Sequence, residues 1–184
     1  MVGLTYGQFS VLEILRHVLA FTGPADVDVV TWRLGADDAE HIGWLRDGER
    51  RIRSIRVVLG AGVEAARSRG ERWVASLGEL FSPAEVRVAT VHAKWFTVRN
   101  AGWAVCCRSS MNVNRNKRWE QFDLDDDAAI CAFFSGVVDD VFAGRARGLT
   151  VGTVDAREAD LDVFGSIAHM GGSLRRGPRV RQNR

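Results

Sequence analysis

Apolar residues recur along this chain in two periods, and the switching between them outlines a fold. Val11, Ile14, Leu15, Val18 and Leu19 form a stripe at helical spacing. Ser10 stands before the stripe and Glu13 three residues later, which is the pattern of a capping box; Thr22-Gly23-Pro24 closes the segment. Residues 27–34 and 52–59 are rich in β-branched side chains and predict strands, and residues 86–90 predict a third. Residues 36–45 predict a helix starting near Asp37 and Asp38. Residues 62–80 favour a further helix, weakened by Gly70 and Gly78.

Two strand-like runs follow, from His92 to Val98 and from Trp103 to Arg108, with Asn100-Ala101-Gly102 between them as a hairpin turn. Their register is expected to set Trp95 against Trp103. Residues 121–124 predict one more short strand. Asp125-Asp126-Asp127 then opens a last helix, its acids complementing the helix dipole, with Ile130, Phe133, Phe134, Val137, Val138 and Val141 as its apolar face. Strands alternating with helices, then a hairpin and a closing helix, predict an α/β fold: a mixed β-sheet flanked by helices on both faces. Residues 1–150 are expected to form that domain. Residues 151–184 read as an extension, with a short helix over 156–167 and disorder from Gly171 onward.

Charge changes the picture at one end. Arg175, Arg176, Arg179, Arg181 and Arg184 lie in a tail without acids; setting these five aside leaves 20 bases against 23 acids. A basic tail on a mildly acidic body favours a polyanion such as nucleic acid as partner, or else is a disordered solubilising tail, since short arginine-rich ends are common. The three cysteines, Cys106, Cys107 and Cys131, form no CxxC pair, and the first two should point to opposite sides of one strand. They read as buried thiols of a reducing compartment, here a bacterial cytoplasm. The four histidines show no metal-ligand spacing. Gly60-Ala61-Gly62 lacks the dinucleotide and P-loop patterns, so no cofactor is assigned. No segment reads as a signal peptide or a membrane span.

The chemistry concentrates between His92 and Asp123. His92 and Lys94 are two apart at the start of one run; Ser110 and Asn112 are two apart just past the end of the next. Side chains at i and i+2 share a face of a strand, so a hairpin brings the two pairs together. Imidazole titrates near neutrality, at about 6.5, and can act as nucleophile or general acid. Lys94 would neutralise non-bridging phosphate oxygens, and Ser110 and Asn112 would donate hydrogen bonds to them. Glu120 is placed to orient the His92 ring. Such a cluster suits a phosphodiester. Arg108, Arg115, Lys117 and Arg118 lie nearby in sequence, as a charged loop or as a guide for a nucleic-acid backbone.

This layout resembles the phospholipase D superfamily, whose motif runs His-x-Lys, four residues, Asp, then Gly-Ser followed by Asn. His92 and Lys94 match its first positions. Ser109-Ser110-Met111-Asn112 matches the second part, with serine for glycine, and Glu120 falls where many members carry a glutamate. The motif aspartate is replaced by Arg99, which is expected to pair with Glu120 or Asp123 and to keep turnover weak. The matching stretch also resembles proteins of tailed phages and prophages. The resemblance implies one half of a phospholipase D-like fold, a metal-independent phosphohistidine mechanism, and a homodimer that supplies the second histidine. The substrate it suggests is nucleic acid, DNA in the first instance, with no membrane partner. A catalytically inactive nucleic-acid-binding or assembly module on the same fold is the alternative, and a lipid hydrolase ranks third.

Overall fold

The computed structural model describes residues 1–60, 80–82, 84–113, 117–146 and 151–153. Its centre is β2 (Ala25–Thr31), a strand buried along most of its length. It runs parallel to β3 (Ile52–Gly60), and β3 runs parallel to β4 (Val86–Ala89). A parallel sheet covered on both faces needs such apolar runs, because neither face meets water. On the other side of β2, the chain continues antiparallel through β5 (Lys94–Arg99), β6 (Ala104–Ser109) and β7 (Glu120–Asp125). Two short strands complete the edges, β1 (Val2–Thr5) beside β7 and β8 (Val151–Thr153) beside β4. The order across the eight strands is β1-β7-β6-β5-β2-β3-β4-β8.

Alternation along the strands divides the apolar residues between two layers. Val27, Val29, Val57, Leu59, Phe96, Val98, Val105 and Cys107 face the larger core, packed by α1 (Val11–Thr22) and α2 (Ala36–Gly43). Val30, Val58 and Trp95 face the smaller one, covered by α3 (Ala128–Phe142) through Val138 and Val141. The α/β class with helices on both faces is therefore as the sequence pattern predicts.

Local signals behave as their chemistry requires. The Ser10 hydroxyl accepts from the Glu13 amide at 3.3 Å, and the Glu13 carboxylate accepts from the Ser10 amide at 2.8 Å, closing the capping box. Asp127 caps α3, accepting from the amides of Ala129 at 2.7 Å and Ile130 at 3.2 Å. Cys106 and Cys107 are free, buried and on opposite faces of β6, and burial pushes both thiols up to about 12.

Other expectations need correction. The chain's first strand, β1, was not legible: Val2 and Leu4 are exposed, and Gly3 lies under the Phe122 ring, so its place depends on pairing with β7 rather than on an apolar face. The strand predicted over 27–34 already ends at Thr31. The helix predicted over 36–45 stops at Gly43 and passes into a π-helical turn, Trp44–Gly48. Phe133 is exposed, whereas Cys131 and Ser135 face the sheet, because α3 is rotated from the stripe read in the sequence. Trp95 does not meet Trp103: the turn pairs Arg99 with Ala104, which sets Trp95 opposite Arg108. Trp103 packs on Phe21 instead, and Trp95 on Phe134. The sheet also reaches past residue 150, since β8 belongs to it. The helices predicted over 62–80 and 156–167 and the arginine tail lie outside the described residues.

Candidate functional site

The strand order brings several chain ends to one end of the sheet. β2, β3 and β4 stop there at Thr31, Gly60 and Ala89. The antiparallel strands place Lys94, Ser109 and Glu120 at the same end, with Thr5 opposite Glu120. The carboxyl ends of parallel strands are the usual place for ligands in open α/β sheets.

Lys94 is the unusual residue of this end, because only 8% of it is exposed. Its ammonium donates to the His92 carbonyl at 2.5 Å and lies 3.2 Å from Nδ1 and 3.4 Å from Nε2 of the same ring. His92 is exposed and stands in the loop before β5, so the strand begins at Lys94 and the two meet through a turn of the loop, not through strand alternation. Burial lowers the Lys94 pKa from its ordinary value, and the charge of Glu120 acts against that shift.

Glu120 joins the second pair. The Ser110 hydroxyl donates to its carboxylate in a short hydrogen bond. The same Ser110 oxygen accepts from the Gln121 amide at 3.0 Å, and the Ser110 amide donates to the Gln121 carbonyl at 3.1 Å. Ser109 ties the bend from within: its hydroxyl donates to the Gln121 carbonyl and accepts from the Met111 amide, both at 2.9 Å. The Val113 amide reaches the Thr31 hydroxyl at 3.4 Å, fastening this loop to the end of β2. Between these anchors lies Asn112, whose side-chain oxygen is buried without a hydrogen-bond partner. A buried amide oxygen left unpaired costs about 1–3 kcal/mol, so such an atom is a place where a donor from water or a ligand would be stabilising.

The structure thus brings His92 to Lys94 and Ser110 to Glu120, with Lys94 and Glu120 coupled through their charges. Asn112 adjoins Ser110 on the loop but bonds to none of the other four. Among the supporting cations, Lys117 and Arg118 are exposed just before β7. Arg108 does not join the cluster: it lies on the α3 side of β6, paired with Asp125 and 6.0 Å from the Phe134 ring. Arg115 lies outside the described residues. Arg99 pairs neither with Glu120 nor with Asp123; it bonds Asp28 on the α3 side at 3.2 Å.

Sequence reasoning missed Trp32, Tyr6 and Trp119. The Trp32 ring lies 5.5 Å from His92, and the Tyr6 and Trp119 rings lie 5.6 Å apart. Each directly adjoins a strand end at this side of the sheet, a signal visible only once the strands are ordered. An apolar cleft of about 590 Å³ between α1, β6 and β7 shares no residue with the polar cluster. Among the described residues no three His, Cys, Asp or Glu side chains converge as a metal site would need, and no helix is long and apolar enough to cross a membrane.

No family model matches the chain, and no curated protein matches it. It is similar to TrmBL2, an archaeal chromatin protein whose structure shows a novel mode of DNA binding, with a TM-score of 0.43 and 7% identity over 78% of this chain and 52% of that one. It is also similar to polyphosphate kinase from Porphyromonas gingivalis, with a TM-score of 0.50 and 13% identity over 92% of this chain and 30% of that one. The chain spans about half the length of the first and under a third of the second. The second likeness is one of fold.

Proposed function

We propose that His92, Lys94, Ser110, Asn112 and Glu120 form one half of a phosphodiester site that acts on nucleic acid. The observation that carries this reading is the buried Lys94 ammonium held against His92, beside the Ser110–Glu120 pair. An ammonium withdrawn from water is suited to non-bridging phosphate oxygens, and the Ser110 hydroxyl would donate to one once a bound phosphate takes its proton over from Glu120. Asn112 stands on the same loop as Ser110 and would offer its amide N–H to the same anion.

In the active form of this reading, a His92 ring nitrogen attacks phosphorus. A P–N bond forms and the P–O bond to the departing nucleotide breaks. The leaving oxygen takes a proton from His92 of the partner subunit. Water then gives a proton back to that histidine and attacks phosphorus, releasing the phosphate end and restoring His92. Two histidines are needed, and one motif histidine per chain makes the working unit a homodimer. This scheme, like the phospholipase D resemblance behind it, draws on no metal.

A second reading is an inactive nucleic-acid-binding module, and Arg99 favours it. The motif aspartate is absent there, and its replacement is held by Asp28. One experiment separates the two. The protein and His92→Ala are incubated with single- and double-stranded DNA in EDTA. Histidine-dependent cleavage supports the enzyme. Binding without cleavage, weakened by Lys94→Ala, supports the module. Neither binding nor cleavage overturns both.

A further inference from the structure

Three large aromatic side chains stand exposed at the end of the sheet that carries the polar cluster. Trp32 is 42% exposed, Tyr6 51% and Trp119 73%. Trp32 leaves β2 directly and lies beside His92, whereas Trp119 directly precedes Glu120 and is tilted 46° to Tyr6. The two groups therefore flank the cluster. Between β7 and β2 lie β6 and β5, so the platforms stand about three strand spacings, roughly 14 Å, apart. Lys94 and Ser110 sit in that interval.

The Trp32 platform is built into the backbone. A Cβ at Gly60 would come within 2.3 Å of Trp32 Cδ1 and 2.9 Å of both the Trp32 and Val91 carbonyl oxygens. Only a residue without a side chain lets the Trp32 ring lie where it does. One side of the ring lies on the buried Gly60 and another meets the exposed His92, which leaves much of the ring open to solvent. The second platform is preceded by the exposed cations Lys117 and Arg118.

Exposed rings beside a phosphate site, with cations close by, form the arrangement that binds single-stranded nucleic acid: the cations track the backbone and bases stack on the rings. A duplex offers no such contact, because its base faces are already stacked on one another. We infer that this site takes a single strand, with a base on Trp32 to one side of the bound phosphate and a base on the Tyr6–Trp119 pair to the other. The inference rests on the nucleic-acid reading above and narrows its substrate class.

The test measures fluorescence anisotropy of the full chain with four probes: a labelled oligothymidylate, an abasic strand of equal length, a hairpin duplex, and mixed phosphatidylcholine–phosphatidylglycerol vesicles. The wild type is expected to bind the oligothymidylate more tightly than the abasic strand or the duplex. Trp32→Ala and Trp119→Ala should each weaken oligothymidylate binding by about 5- to 150-fold and leave the abasic strand unaffected. Trp32→Phe should restore most of the loss, which a folding defect would not allow. Equal wild-type affinity for the two strands overturns the inference, as does loss of both strands together in the tryptophan variants. Binding of vesicles in place of oligonucleotide also overturns it, making the rings a membrane contact. Should base-dependent binding survive in Lys94→Met with both affinities unchanged, the stacking inference stands and the phosphate reading of the cluster fails.

Discussion

Arg99 is bound to Asp28 by an ion pair at 3.2 Å, on the α3 side of the sheet and away from Lys94. Asp28 is buried and also accepts from Arg56 at 2.7 Å and from the Thr97 hydroxyl at 3.0 Å. Since the single Thr97 proton goes to Asp28, its contact with Ser135 at 3.0 Å has Ser135 as donor. Arg99 is thus part of a structural network joining β2, β3, β5 and α3. Strand alternation turns it away from Glu120, while Asp123 shares its side of the sheet but sits opposite Arg108, four positions along β6 from Ala104, the partner of Arg99.

This network predicts that Asp28→Ala is costly. It leaves Arg56 and Arg99 without their shared partner and is expected to lower stability by about 3–5 kcal/mol. Arg99→Met should stay within about 1 kcal/mol, because that side chain is over a third exposed. Arg99→Asp sets a second carboxylate against Asp28 and should cost more than Arg99→Met. Urea denaturation gives the order, and equal stability of Arg99→Asp and Arg99→Met would remove the electrostatic account.

Lys94 predicts a pH dependence with a definite sign. Burial holds its folded-state pKa below the unfolded value, so folding opposes the charged form. That opposition is fully felt below the folded pKa and is relieved as pH rises through it toward the unfolded value of about 10.4. Relative to Lys94→Met, the wild type should therefore gain stability across this alkaline window. Parallel melting-temperature profiles of the two proteins would contradict it.

Gly60→Ala should displace Trp32. The new methyl group meets both the ring and backbone oxygens, and backbone cannot yield as a flexible side chain does. A loss of about 1–3 kcal/mol is expected, with a change in tryptophan emission. An unchanged spectrum and melting temperature would show that the loop between Ala89 and Lys94 accommodates the methyl group freely.

The thiols of Cys106 and Cys107, held up to about 12 by burial, should resist a thiol reagent at pH 8 in the folded protein. Cys131, also buried and raised, should behave alike. All three should react in denaturant. Rapid native-state labelling of Cys106 or Cys131 would mean that α3 opens readily from the sheet, and of Cys107 that the α1–α2 layer does.

The sequence by itself determined the layers of this protein. Helical and strand periods depend on which residues neighbour each other along the chain, so α1 with its capping box, the apolar runs of β2 and β3, and the aspartate cap of α3 were legible. The opposed thiols were legible too, because alternation in a strand is fixed by the backbone. The same locality drew attention to His92, Lys94, Ser110 and Glu120. Tertiary structure alone decided what these residues meet. The turn at Asn100–Trp103 fixed the register that separates Trp95 from Trp103. The placement of β5 beside β2 gave Arg99 the partner Asp28, from a strand 71 positions away in the chain. Pairing of β1 with β7 set Tyr6 against Trp119, residues far apart in the chain. Contacts of this kind depend on strand order, which no local pattern encodes; they form only when long loops close and the buried area gained offsets the entropy of closing them.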